Sequence, residues 1–228
     1  MYLNSGYLNR SAVPFKDKSK PLIVGSCGTY RLITKTKLPT YRPRGRIDYQ
    51  LIYINAGQAH FHFDQEENET IVTAGNMVLF RPKEFQKYEY YGKDKTEVYW
   101  VHFTGGDVKN ILRKYGIRDD MRTFFVGTSL EYEYLFKKMI SELQRCQEHY
   151  QDLLSLLMRQ LLISIHRDLT KERKMSDVYL DHEMDLATQY SISEISRIVG
   201  YENPLYFSRL FRKLKGFSPS QYRKKLEQ

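Results

Sequence analysis

Cysteine is scarce in this chain of 228 residues: only Cys27 and Cys146, far apart and without a CxxC partner. That excludes a disulfide framework and fits a reducing compartment. Long apolar runs are missing too, and Met1-Tyr2-Leu3-Asn4-Ser5 has no secretory form. The sequence therefore predicts a soluble, cytoplasmic protein with no membrane partner. No glycine-rich phosphate loop and no nucleophile elbow occurs, so no cofactor and no enzymatic activity is expected. Acidic residues are outnumbered, 27 Asp+Glu against 36 Lys+Arg, which leaves a formal charge of +9. A basic balance of that size favours polyanionic partners.

Aromatic residues are abundant, 14% of the chain with 19 Tyr. From about residue 21 to 103 they fall in short β-like runs: Leu22–Val24, Tyr49–Ile54, His60–Phe63, Thr70–Val72, Met77–Phe80 and Glu97–Phe103. Gly57, Asn68, Gly75-Asn76, Pro82 and Gly92-Lys93 punctuate them. Strands at this spacing predict a sandwich or barrel, and small barrels hold one small ligand. Residues 1–20 are polar and basic without a clear period, and read as an arm or extended segment. His60 and His62 would share one face of a strand, and Glu66 completes a His-x-His-x-x-x-Glu spacing. The later segment Pro82–Gln86 supplies no third histidine, and Glu66 sits in an acidic, turn-like run, so no metal is expected.

Helical periodicity begins after the β runs. Asp107–Tyr115 reads as a short helix ended by Gly116, and Leu130–Tyr150 as a longer one carrying Leu135, Met139, Leu143 and Cys146. A further helix, capped by Asp152 and running to Leu169, has an apolar stripe wider than one buried face needs. A second subunit would use the surplus. Thr170–Ser176 is charged and reads as a linker.

The final stretch is the most specific. Ser191 with Glu194 fits a capping box, and Ile192, Ile195, Ile198 and Val199 form one apolar face. Gly200 is placed to end that helix; Asn203 caps the next and Pro204 opens it. Phe207 and Phe211 should face inward, leaving Leu205, Ser208, Arg209, Arg212 and Lys213 mostly outward. Ser218-Pro219 repeats the cap-then-proline signal. Between Arg197 and Lys225 there are eight basic residues and one acidic residue, Glu202. This is the layout of a helix-turn-helix, whose second helix enters the major groove of DNA.

The run I-x-E-I-x-x-x-V-G-Y-x-N-x-x-Y-F-S-R-x-F-x-K-x-x-G-x-S-P-x-x-Y-R, from Ile192 to Arg223, resembles the C-terminal signature of the AraC/XylS family of bacterial transcription regulators. The resemblance implies base contacts by Asn203, Leu205, Ser208 and Arg209, and phosphate contacts by Arg212 and Lys213. Arg42–Ile54 and Tyr99–Gly105 resemble the cupin-like effector domain of sugar-responsive members. There the ligand is a small saccharide. Its hydroxyls would bond Arg42, its apolar face would stack on Trp100, and Tyr88 or Tyr90 would contribute. The resemblance also implies an arm that folds over the ligand, a homodimer formed by the helical hairpin, and RNA polymerase as a further possible partner of the DNA-bound state. One departure stands out. The family carries two helix-turn-helix units, and only the second is visible here, because the helix read over Asp177–Gln189 runs straight into Ser191.

The expected architecture is α+β. It comprises an arm (1–20), a cupin-like β-barrel that binds the effector (21–106), a helical dimerisation hairpin (107–169), a linker (170–176) and an all-α helix-turn-helix domain (177–228). The expected function is a DNA-binding transcription regulator acting on double-stranded promoter DNA and controlled by a small ligand, which the resemblance implies is a sugar. The rival readings are a metal-dependent cupin enzyme with a helical tail, and a ligand-sensing dimer that no longer binds DNA.

Overall fold

The computed structural model describes residues 1–10, 15–63, 68–189, 191–198, 203–215 and 217–226. The chain divides into two compact units, Met1–Arg167 and Asp168–Gln228.

The first unit holds two antiparallel sheets. One has six strands in the order β1 (Tyr2–Tyr7), β2 (Ile23–Arg31), β9 (Glu97–Thr104), β4 (Tyr49–Ala56), β7 (Asn76–Phe80), β10 (Thr123–Phe125). The other has four: β3 (Lys37–Arg42), β8 (Gln86–Tyr91), β5 (Gln58–His62), β6 (Thr70–Thr73). Alternating residues of both sheets build one core, with Ile52 and Ile54 from β4, Phe61 from β5, Tyr88 and Tyr90 from β8, and Val98 and Trp100 from β9. This is the barrel-like β domain that the sequence predicted.

The six-stranded sheet is covered on its other face as well. α2 (Leu130–Arg145) packs on β1 and β2. Its Phe136 stacks on Tyr53 and Tyr99, and its Tyr132 lies against Tyr53. Burial on both faces explains why Leu51–Ile54 reads as an unbroken apolar run rather than an alternating one.

The structure places Tyr2–Tyr7 in the sheet rather than in a free arm. β1 pairs with β2 from Tyr2↔Arg31 to Tyr7↔Ser26. Gly6 permits this, because a Cβ there would lie 2.5 Å from Leu143 Cβ and 2.8 Å from the Ile140 carbonyl oxygen of α2.

The helices stop where backbone sterics demand. α1 (Val108–Lys114) is followed by Gly116 at φ +80°. α2 is capped at its start by Ser129, whose Oγ accepts from the Glu131 N–H at 3.1 Å. It ends at Cys146 in the left-handed region, φ 49°, rather than at Tyr150 as its pattern predicted. α3 (Tyr150–Gln189) starts two residues before its expected cap Asp152. Leu154, Leu157, Met158, Leu161, Leu162 and Ile165 are buried, whereas Leu156 and Ile163 are exposed. Residues 170–176, expected as a linker, lie within this helix, and the division into units falls just before them. Among the described residues, no helix is long and apolar enough to cross a membrane.

The second unit contains α4 (Ile192–Ile198), α5 (Pro204–Lys215) and α6 (Pro219–Leu226). Its core is Ile195, Phe207 and Phe211, with Ile192 and Tyr222 packed on it. All three helix starts are fixed by side chains. Ser191 and Glu194 form a reciprocal capping box, at 2.8 and 3.2 Å. Asn203 Oδ1 accepts from the N–H groups of Leu205 and Tyr206. Ser218 and Gln221 form a second box. Gly200, Val199 and Glu202 of the sequence reading lie outside the described residues.

Candidate functional site

Between the two sheets lies a cavity of about 170 Å³. Six strands and one loop converge on it. β9 supplies Trp100 and His102, β8 Tyr88 and Tyr90, and β3 Thr40 and Arg42. β4 adds Gln50, β2 adds Ser26 and Tyr30, β1 adds Tyr7, and Arg46 comes from the segment before β4. Arg42, Tyr88, Tyr90 and Trp100, singled out in the sequence, therefore line one cavity. The other lining residues were missed. His102 and Trp100 are two apart on one strand, so strand alternation alone puts them on one face and could have flagged it. Tyr7 carries no such signal, because residues 1–20 show no clear period.

The cavity is aromatic on one side. Tyr30 stacks on Trp100 at 6.0 Å between ring centroids, Tyr7 lies at 6.4 Å, and His102 at 4.6 Å. Gly28 sits opposite Trp100 in the β2–β9 pairing and makes room for the indole, since a Cβ there would lie 2.4 Å from the ring. Burial, then the neighbouring Tyr88 and Tyr7 phenols, pushes Tyr30 up to about 12, so its hydroxyl stays protonated.

On the other side the groups are polar and connected. Arg42 Nη1 donates to Gln86 Oε1 at 2.8 Å and to the Tyr88 hydroxyl at 3.4 Å. Gln50 Nε2 donates to the same hydroxyl at 3.2 Å. Ser26 Oγ and His102 Nδ1 are 2.7 Å apart. Burial, and then the charges of Arg46 and Arg42, hold His102 well below the usual imidazole range, so the ring is neutral at pH 7. Arg46 forms a two-pronged pair with buried Asp48, at 2.6 and 2.9 Å. Gln50 Oε1 and His102 Nε2 are buried without a hydrogen-bond partner among the described residues. Buried polar atoms are seldom left so, and atoms at a cavity wall are available to a guest.

His60 and His62 do not face this cavity. They flank Phe61, which points into the core, so alternation turns both to the outer face of β5. His60 lies 2.9 Å from Asp94 and 3.0 Å from Glu69. Among the described residues no group of three metal-binding side chains occurs, and Glu66 lies outside those residues.

In the second unit, α5 turns Phe207 and Phe211 inward and leaves Leu205 73% exposed. Arg209, Arg212 and Asn203 are exposed and Ser208 is half-buried, while the Lys213 side chain lies outside the described residues. Asn203 commits its Oδ1 to the cap. Ser208 Oγ donates back to the Pro204 carbonyl at 2.8 Å. The outer face of α5 is thus an apolar tip followed by two guanidinium groups.

Residues 26–166 match the AraC-like ligand binding domain. The chain belongs to the AraC family. Residues 184–224 match the helix-turn-helix of bacterial regulatory proteins of the same family. An uncharacterized HTH-type transcriptional regulator of Bacillus subtilis, YisR, is 32% identical over 95 residues, which is 42% of this chain and 32% of that protein. The MmsAB operon regulatory protein of Pseudomonas aeruginosa is 43% identical over 42 residues, 18% of this chain and 14% of that protein. The chain thus spans a third or less of the curated relatives it matches. Among solved structures, apo ToxT from Vibrio cholerae is 15% identical with a TM-score of 0.44, covering 92% of this chain and all of that one. YhaK from Escherichia coli is 14% identical with a TM-score of 0.37, covering 56% and 52%.

Proposed function

We propose that this AraC-family chain regulates transcription by binding double-stranded DNA through α5, under the control of a small saccharide held in the β-domain cavity. One observation supports this most: a neutral aromatic wall and a connected set of donors and acceptors face each other across about 170 Å³. A saccharide presents the complementary surfaces, apolar C–H faces and a rim of hydroxyls. The volume lies below the ~300 Å³ at which drug-sized pockets begin, and suits a guest of one sugar ring.

Arg42, Tyr88 and Tyr90 would take hydroxyls, and Trp100 the ring face. On α5, Leu205 would meet a thymine methyl and Arg209 the acceptor edge of guanine. Arg212 and Lys213 would hold phosphates. Asn203 would offer only its amide N–H groups, because the cap holds its oxygen. A homodimer built on the exposed Leu156 and Ile163 of α3 would present two recognition helices, one helix-turn-helix unit from each chain.

Ligand and DNA would then be linked by a population shift: the saccharide favours one state of the chain, and that state binds DNA differently. Fluorescence anisotropy on promoter fragments, with and without a panel of monosaccharides, tests this. An effector should change DNA affinity between about 5- and 150-fold. Unchanged affinity and unchanged half-site preference across the panel would overturn the reading.

A further inference from the structure

The charge balance of the cavity says more about its guest than its size does. Two arginines line it, and they are treated differently. Arg46 is neutralised by Asp48. Arg42 has no carboxylate partner among the described residues; its bonds run to the neutral oxygens of Gln86 and Tyr88. Among the described residues no aspartate or glutamate lines the cavity, and His102 is neutral. One positive charge is therefore left unbalanced on a half-buried side chain, an arrangement that costs free energy until an anion meets it.

The hydrogen-bond inventory sharpens the point. The Tyr88 hydroxyl already accepts from Arg42 and from Gln50 Nε2, so its own proton has to be donated elsewhere, and the ring lines the cavity. That proton and the remaining Arg42 N–H groups offer donors beside a positive charge, the pattern a carboxylate takes. Gln50 Oε1 lies buried at the cavity and is an acceptor with no donor. His102 Nε2 is also without a partner, and accepts when Nδ1 carries its proton to Ser26. Two such acceptors call for O–H groups on the guest.

We propose that the effector is a sugar acid: a polyhydroxylated carboxylate of one-ring size, with its carboxylate against Arg42 and the Tyr88 hydroxyl and its hydroxyls against Gln50 and His102. This rests on the saccharide reading above and narrows it.

The test is isothermal titration calorimetry of the full chain with matched pairs: galacturonate and galactose, glucuronate and glucose, gluconate and glucitol. At least one acid should bind about tenfold or more tighter than its neutral partner, as a charged hydrogen bond gained implies. Arg42→Gln should bring that ratio near one, and Arg42→Lys, which keeps the charge, should preserve a preference for the acid. Circular dichroism melts of both variants control for folding. A neutral sugar that binds as well as its acid, or better, would overturn the sugar-acid proposal and leave the saccharide reading standing. Binding of a hydroxyl-free carboxylate such as cyclohexanecarboxylate as tightly as any sugar acid would overturn the role given to Gln50 and His102. If neither member of any pair binds, both the proposal and the saccharide reading fall.

Discussion

Trp100 shows how one residue serves packing and recognition at once. It is 4% exposed, belongs to the inter-sheet core and touches Gly28 across the ladder. Trp100→Ala would therefore cost about 3–5 kcal/mol of stability and confound any binding assay. Trp100→Phe is the better probe. It should keep the fold and weaken effector binding by about 2- to 10-fold, the worth of an aromatic contact, as read by calorimetry. His102 makes a second prediction. Burial holds its native pKa well below that of the unfolded chain, about 6.5. Below pH 6.5 the unfolded state takes up a proton that the native state refuses, so stability is full above that pH and falls as pH drops. The slope from this one group is about 1.4 kcal/mol per pH unit. His102→Gln should flatten the stability curve between pH 6.5 and 5 in denaturant titrations. An unchanged curve would mean that His102 titrates freely in the native state.

Among elements, α5 bears the sharpest expectation, because its two exposed arginines are assigned different tasks. Arg209→Ala should cost about 1–3 kcal/mol on the preferred DNA sequence and little on others. Arg212→Ala should weaken all sequences alike and reduce the slope of log affinity against log salt by about one. Anisotropy titrations at several salt concentrations distinguish the two, and equal behaviour would make both phosphate contacts. The start of this helix was legible because a cap is local chemistry: Asn203 and Pro204 sit beside the N–H groups they serve. The same holds for the box at Ser191 and the cap at Ser218. β4 and β9 were legible because double burial makes most of their residues apolar or aromatic, as in Leu51–Ile54 and Val98–Val101. β1 and β3 were not, since their half-exposed faces carry Asn4, Ser5, Lys37 and Thr40, and only pairing with β2 and β8 makes them strands. β10, three residues long, has too little pattern to read.

For the whole molecule, legibility depends on the distance a contact spans. The resemblance to the effector domain named Arg42, Trp100 and Tyr88 or Tyr90, but Gln50 reaches Tyr88 from 38 residues away, and no periodicity announces such a bond. Ser26 finds His102 across 76 residues. The arrangement of α3 was readable in part: its buried stripe was expected, and the surplus apolar width appears as exposed Leu156 and Ile163, one heptad apart. The proposed homodimer uses that strip. Leu156→Asp with Ile163→Asp should leave the fold intact and shift sedimentation from dimer to monomer, with weaker binding to paired DNA half-sites. Wild-type chain that sediments as a monomer at tens of micromolar would dismiss this interface.

The first strand ends in two neighbours with opposite outlooks. Gly6 nests under α2, while Tyr7 looks into the cavity. A saturation library across these two codons should separate cleanly: at position 6 almost any change lowers the amount of protein in the cell, whereas at position 7 the yield is spared and inducibility is what varies. Removing Tyr2–Tyr7 would therefore take away one wall of the cavity and one edge of the six-stranded sheet.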